Sequence, residues 1–182
     1  PVRLVIKVLE GNLVLSEQIA VPLKDEIQLV KKYLQLRLLG DPSRIRIGWD
    51  LPSVIPDTWL IPSMSIQIPV ENAVKYAFDP EDENASIQIR IMEKRQSLYI
   101  DIEDNGIGLS VSGNPRQEEQ GTGYGLEILR QTVDILNSRN KNKMSFIIND
   151  RSHLEPDGHG TLVSLIVPVD YTFELCLMNF LL

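Results

Sequence analysis

The sequence predicts an α/β chain: a two-layer sandwich in which a mixed sheet carries its helices on one face. Three observations predict it. Apolar residues recur at helical spacing in three stretches and at strand spacing in five others, and the order is helix, strand, helix, hairpin, loop, helix, hairpin. The 182 residues suffice for about one domain with a short extra element, and 43% hydrophobic content is ordinary for a packed core.

The first stretch, Val2 to Leu15, is apolar with few polar partners and reads as the end of a helix belonging to a neighbouring segment. In "VPLKDEIQLVKKYLQLRLLGD", Pro22, Asp25 and Glu26 mark a helix start, Ile27, Val30, Leu34 and Leu38 share a face, and Gly40 can end it. Ile45, Ile47 and Trp49 alternate as a strand, after which Pro52, Pro56 and Pro62 hold an extended connection. A second helix is expected over Ser63 to Phe78, with Pro69 kinking or starting it. "ASIQIRIMEKRQSLYIDIED" is an antiparallel hairpin built on Ile87, Ile89, Ile91 and Leu98, Ile100, Ile102. Residues 110 to 125 have no apolar period and read as a mobile loop; Leu126 to Arg139 forms a third helix on Leu129, Val133 and Leu136. Two strands, "KMSFIIND" and "GTLVSLIVPV", flank a polar loop from Arg151 to Gly160. The division expected is 1–20 as linker or helix end, 21–170 as the main domain and 171–182 as a tail of no evident purpose.

A net charge of −7 argues against a surface that holds nucleic acid, although a local basic pocket could still take a small anion. Cys176 stands alone, which excludes an internal disulfide, and with His153 and His159 it makes a poor zinc set; a reducing compartment fits. No apolar run approaches a membrane span, so no direct membrane contact is expected. The start at Pro1, mid-pattern, suggests a piece of a longer protein.

Three groups of residues carry chemistry. Asn72, Lys75 and Tyr76, at i, i+3 and i+4, share one turn of the second helix; Asn72 offers a carbonyl oxygen suited to magnesium and Lys75 a point charge suited to phosphate. The alternative is a solvated polar face with Glu71 paired to Lys75. In "DNGIG", Asp104 continues the apolar row of Leu98, Ile100 and Ile102, where a carboxylate must find a partner. An acceptor there can take the exocyclic amine of adenine, and Gly106 and Gly108 let the backbone turn and approach closely around Ile107. "GTGYGL" places Gly121, Thr122, Gly123, Tyr124, Gly125 and Leu126 at a helix start, whose N–H groups favour anions, though glycines also make linkers.

An Asn-bearing helix, a strand ending in D-x-G-x-G, a polar loop and G-x-G-x-G at a helix start, in that order, resemble the N, G1 and G2 boxes of the Bergerat-fold (GHKL) ATP-binding family. That family is shared by gyrase, heat-shock chaperone, sensor histidine kinase and mismatch-repair proteins. The match spans residues 60 to 168, and Gly158, Gly160 and Thr161 resemble its closing G-x-G-T element. Within it, "VPLKDEIQLVKKYLQL" and "IPSMSIQIPVENAVKYAF" look like the LytS/YehU-type sensor kinases. Two departures are Tyr76 at the usual histidine position and "LLGDPSRI" in place of an arginine-phenylalanine pair.

The resemblance implies ATP and Mg2+ as ligands: Asp104 on the adenine amine, directly and through a water shared with Thr161; Asn72 on the metal; Lys75 toward the phosphates; residues 109–120 as the ATP lid. Arg116 is the lid's sole cation and a candidate for the γ-phosphate, or else a solvated side chain; Tyr76 packs on the nucleotide or fills the core. ATP-hydrolysing members carry a glutamate one turn before the asparagine, where this chain has Ile68, and Glu71 points about 100° away around the helix. Phosphoryl transfer to a histidine is therefore favoured over hydrolysis. That histidine is expected on a dimerisation domain upstream, since His153 and His159 sit in a polar loop. The expected setting is the cytoplasmic domain of a homodimeric inner-membrane sensor with a response regulator as partner. An anti-sigma-factor-type serine kinase and a degenerate nucleotide-binding module are the alternatives, and no catalytic base is assigned.

Overall fold

The structure, a computed structural model, describes residues 6–9, 12–15, 19–39, 44–79, 81–108, 124–138 and 140–173. Its main body is a five-stranded sheet of order β4-β6-β7-β9-β8. The strands are β4 (Arg46–Asp50), β6 (Ser86–Lys94), β7 (Ser97–Asp104), β8 (Ser145–Asp150) and β9 (Thr161–Pro168). β4 and β6 run parallel and every other neighbouring pair is antiparallel, which is the mixed sheet expected.

Strand alternation decides which face is covered. Ile87, Ile89 and Ile91 of β6, Leu98, Ile100 and Ile102 of β7, and Val163, Leu165 and Val167 of β9 are all buried. On the other face, polar residues among the intervening ones bond to one another: Arg90 to Glu103 at 2.6 Å, and Ser164 Oγ to Asp101 at 2.6 Å. The buried face meets α1 (Leu23–Arg37) through Leu23, Ile27, Val30 and Leu34, and α3 (Tyr124–Asn137) through Leu129, Val133 and Leu136. Between them lies α2 (Gln67–Asn72), which continues into a π-helical turn at Ala73–Ala77. Helices therefore collect on one face, as the sequence predicts.

Four details differ from the sequence reading. The stretch up to Leu15 is not a helix end: β1 (Ile6–Leu9) and β2 (Asn12–Leu15) pair antiparallel. The β-branched Ile6, Val8 and Val14 favour strands. The prolines around α1 also do more than hold a loop, because β3 (Ala20–Pro22) and β5 (Leu60–Pro62) form a second two-stranded sheet. Pro69 does not kink the second helix; it is the third residue of α2, where a missing N–H costs no helical bond. The irregularity comes after Asn72, as the wide turn. Of the C-terminal segment, Tyr171 is buried and its ring centroid lies 4.9 Å from that of Phe173; residues 174–182 lie outside the described residues.

Candidate nucleotide site

Asp104 is the last residue of β7 and 7% exposed, so the apolar row does end in a carboxylate. Its Oδ1 accepts from the Gly106 N–H at 2.9 Å and the Thr161 N–H at 3.2 Å. Burial pushes the Asp104 carboxyl above the usual aspartate value; the bonds from Gly106 and Thr161, including the Thr161 side chain, and the Arg151 charge oppose it. Asp104 and Thr161, expected to share a water at the adenine, are bonded to each other through the Thr161 N–H.

The turn that follows is fastened on two sides. Asn105 Oδ1 accepts from the Ser86 N–H at 2.7 Å, and its amide donates to the Asn84 carbonyl at 3.0 Å, holding it to the start of β6. The Ile107 N–H donates to the Ala77 carbonyl at 2.9 Å, holding the turn to the end of the π-helical segment. A Cβ on Gly106 would lie 2.1 Å from that same carbonyl oxygen, which explains the glycine. Gly160, which precedes Thr161, has φ +98° and would place a Cβ 2.0 Å from the Asp104 carbonyl oxygen. The two motif glycines therefore allow the helix end and the β9 start to close on Asp104.

These constraints shape a pocket lined by Asn72, Tyr76, Asp104, Ile107, Gly108, Leu126 and Thr161, with Pro69, Ala73, Ala77 and Val163 as apolar wall. A carboxylate set in an apolar wall suits a flat, amine-bearing heterocycle. Nδ2 of Asn72 is buried without a hydrogen-bond partner, so the amide has bonding capacity to spend on a ligand. Ile68 is 4% exposed and packs beneath the start of α3, where a Cβ on Gly125 would stand 2.9 Å from its Cγ2. Lys75 does not line the pocket. Its Nζ lies 3.9 Å from Glu71 Oε2, and Glu71 is 5% exposed, so this pair is not a solvated surface contact.

The family model described as histidine kinase-, DNA gyrase B-, and HSP90-like ATPase matches residues 65–171. The chain belongs to that ATPase family. It is 32% identical over 133 residues to the sensor protein LytS of Enterococcus faecalis, covering 70% of this chain and 22% of that one. With LytS of Staphylococcus saprophyticus it shares 29% over 164 residues, covering 87% and 26%. The chain thus spans about a quarter of the length of these curated relatives. Among solved structures, the mycobacterial sensor histidine kinase MprB overlays with a TM-score of 0.55 at 16% identity, covering 82% of this chain and 95% of that one. The fold is that of histidine kinase catalytic domains.

Of the ATPase-family motif residues, the structure brings Asn72, Tyr76, Asp104, Ile107, Gly108, Leu126 and Thr161 to one pocket and puts Gly106 and Gly125 directly behind it. Tyr124 opens α3. The lid at 109–120 with Arg116, and Gly121, Thr122 and Gly123, lie outside the described residues.

Two buried acids escaped the sequence reading. Glu26, 3% exposed, accepts from the N–H groups of Met64 at 3.1 Å and of Ile66 and Gln67 at 3.2 Å, capping α2 from α1. Its position between Leu23 and Ile27 on the apolar stripe is the clue that could have revealed it. Asp150, 7% exposed, ends the row of Phe146 and Ile148 as Asp104 ends its own, and accepts from the Ser152 N–H at 3.0 Å.

Proposed function

We propose that this chain is the catalytic ATP-binding domain of a two-component sensor histidine kinase, transferring the ATP γ-phosphoryl group to a histidine on an upstream dimerisation domain. The observation that carries the reading is Asp104, a buried carboxylate on the wall of a pocket it shares with the apolar Pro69, Ala73, Ala77 and Val163, with both backbone donors on Oδ1. Oδ2 receives neither of them and is the oxygen assigned to the adenine amine. Tyr76, Ile107 and Leu126 enclose the base, and Lys75 and the N-terminus of α3, with Gly121 to Gly125, meet the phosphates.

Magnesium fits the donor set. No cluster of three or more His, Cys, Asp or Glu occurs among the described residues, which suits an ion carried mainly by phosphates and water. Asn72, which lines the pocket, would hold it through its carbonyl oxygen Oδ1. When bound, the ion supplies charge neutralisation at the phosphates. The chain's own residues bind the base, orient the triphosphate and exclude water from the α2 side, where Ile68 gives no base for hydrolysis. Arg116 is the lid residue assigned to the γ-phosphate.

The parent protein is read as a homodimer whose partners are its own phosphoacceptor domain and a response regulator, with this domain on the cytoplasmic side of an inner-membrane sensor. Among the described residues no helix is long and apolar enough to cross a membrane. Incubating the chain with magnesium ATP and a supplied histidine-bearing acceptor domain tests the reading. An acid-labile phosphate on the acceptor supports it. An acid-stable phosphate points instead to a serine kinase, and absence of ATP binding to a non-catalytic module.

A further inference from the structure

Two stripes run along residues 67–77. Pro69, Asn72, Ala73, Tyr76 and Ala77 face the pocket, and Gln67, Glu71 and Lys75, four apart, lie beside them. Glu71 directly precedes Asn72, and it is a buried charge for which the reading above has no use. Gln67 Nε2 donates to its Oε1 at 2.6 Å, and Lys75 Nζ stands 3.9 Å from its Oε2, with side-chain exposures of 16% for Lys75 and 7% for Glu71. A carboxylate taken out of water is destabilising unless a counter-charge and hydrogen bonds compensate it, and Lys75 is the counter-charge beside Glu71. The same ammonium is the cation that one turn of helix carries past Asn72.

We propose that Glu71 is a specificity-determining residue that competes with the nucleotide's phosphates for Lys75 and so weakens binding of the triphosphate end. The inference rests on the nucleotide reading of the pocket. A triphosphate must either draw Nζ from Glu71, leaving a buried carboxylate less compensated, or settle close to that carboxylate. Both routes oppose the phosphate end and leave the adenine end untouched. Adenosine, which has no phosphate, is indifferent to the pair. The consequence is a site that holds ATP less tightly than Asn72, Lys75 and Asp104 alone would dictate.

The experiment is a titration of the 182-residue chain with ATP and with adenosine, both with magnesium, before and after Glu71→Gln. The substitution keeps an oxygen for Gln67 and removes the charge. ATP binding is expected to tighten about fivefold or more, with adenosine changed less than about twofold. Glu71→Leu is the second variant, since an apolar replacement of a buried ionic group is often tolerated. In a Lys75→Gln background the gain should shrink to less than about half. A lost or unchanged ATP preference, or a gain that persists without Lys75, overturns the role of Glu71 and leaves the ATP reading standing. If the unsubstituted chain binds neither ATP nor adenosine, both fall.

Discussion

Thr161, the first residue of β9, donates its N–H to Oδ1 of Asp104, the last residue of β7, at 3.2 Å. The bond lies one step beyond Glu103 and Leu162, the last paired residues of the two strands, so a side chain completes the ladder. Gly106 donates to the same oxygen at 2.9 Å. In Asp104→Asn the amide oxygen can keep both bonds while the NH₂ takes the place of Oδ2 and faces the adenine amine, donor against donor. We expect ATP affinity to fall about tenfold or more, the loss of a bond to a charged group, with the fold retained. Nucleotide titration and thermal melting check it; a collapsed Tm with undiminished binding by the folded fraction would make Asp104 a purely structural acid.

The raised Asp104 carboxyl gives a pH dependence of defined sign. Because the folded state binds this proton more tightly than the unfolded state, the group's contribution to stability grows as pH falls from the folded value toward 3.8. ATP binding runs the other way, because the protonated acid loses acceptor capacity for the adenine amine. Acidification should therefore weaken binding at a pH above the ordinary aspartate range, while this group's share of stability increases. Comparing pH profiles of binding and of urea midpoints for the native chain and Asp104→Asn tests it: the substituted chain should lack both limbs.

Much of this was legible in the sequence because the rows were regular. Ile87, Ile89 and Ile91 alternate without a break and are all buried, so their hairpin and its inward face were readable, and Asp104 stood out as the acid ending the next row. β3 and β5 were not readable because each has three residues, too few to show a period, and each ends in proline. The spacing of Asn72, Lys75 and Tyr76 predicted one shared face, but a wide turn begins directly after Asn72 and only Asn72 and Tyr76 reach the pocket. Glu71 was read as possible solvent-facing partner of Lys75; local spacing gives the pairing and says nothing of the depth at which it sits.

Gly106 should not accept even a methyl group. A Cβ there would meet the Ala77 carbonyl oxygen at 2.1 Å and the Ala77 Cβ at 2.6 Å, and backbone cannot move aside as a flexible side chain can. The same carbonyl accepts from Ile107, so relief of the clash would break that bond. We expect Gly106→Ala to destabilise the fold by about 2–3 kcal/mol, at the upper end of overpacking costs, and to weaken ATP and adenosine binding equally. Urea unfolding and paired titrations measure both; unchanged stability would contradict the close approach.

Glu26 joins two helices that the sequence separates by 29 residues, counted from the end of α1 at Arg37 to the start of α2 at Gln67. Its carboxylate accepts three backbone N–H groups at the turn before α2, where Met64 holds a φ of +66°, unusual for a side-chain-bearing residue. Glu26→Ala removes both acceptor oxygens, and with them all three bonds, inside a buried site, leaving donors that water cannot easily reach. The expected cost is about 3 kcal/mol or more, against roughly 1–2 kcal/mol for Glu26→Gln, whose single oxygen still serves some of the donors. Because α2 carries Asn72, the alanine variant should also weaken magnesium-dependent ATP binding more than binding of adenosine. Urea midpoints order the two variants, and an alanine variant as stable as the native chain would show that the turn holds its shape without Glu26.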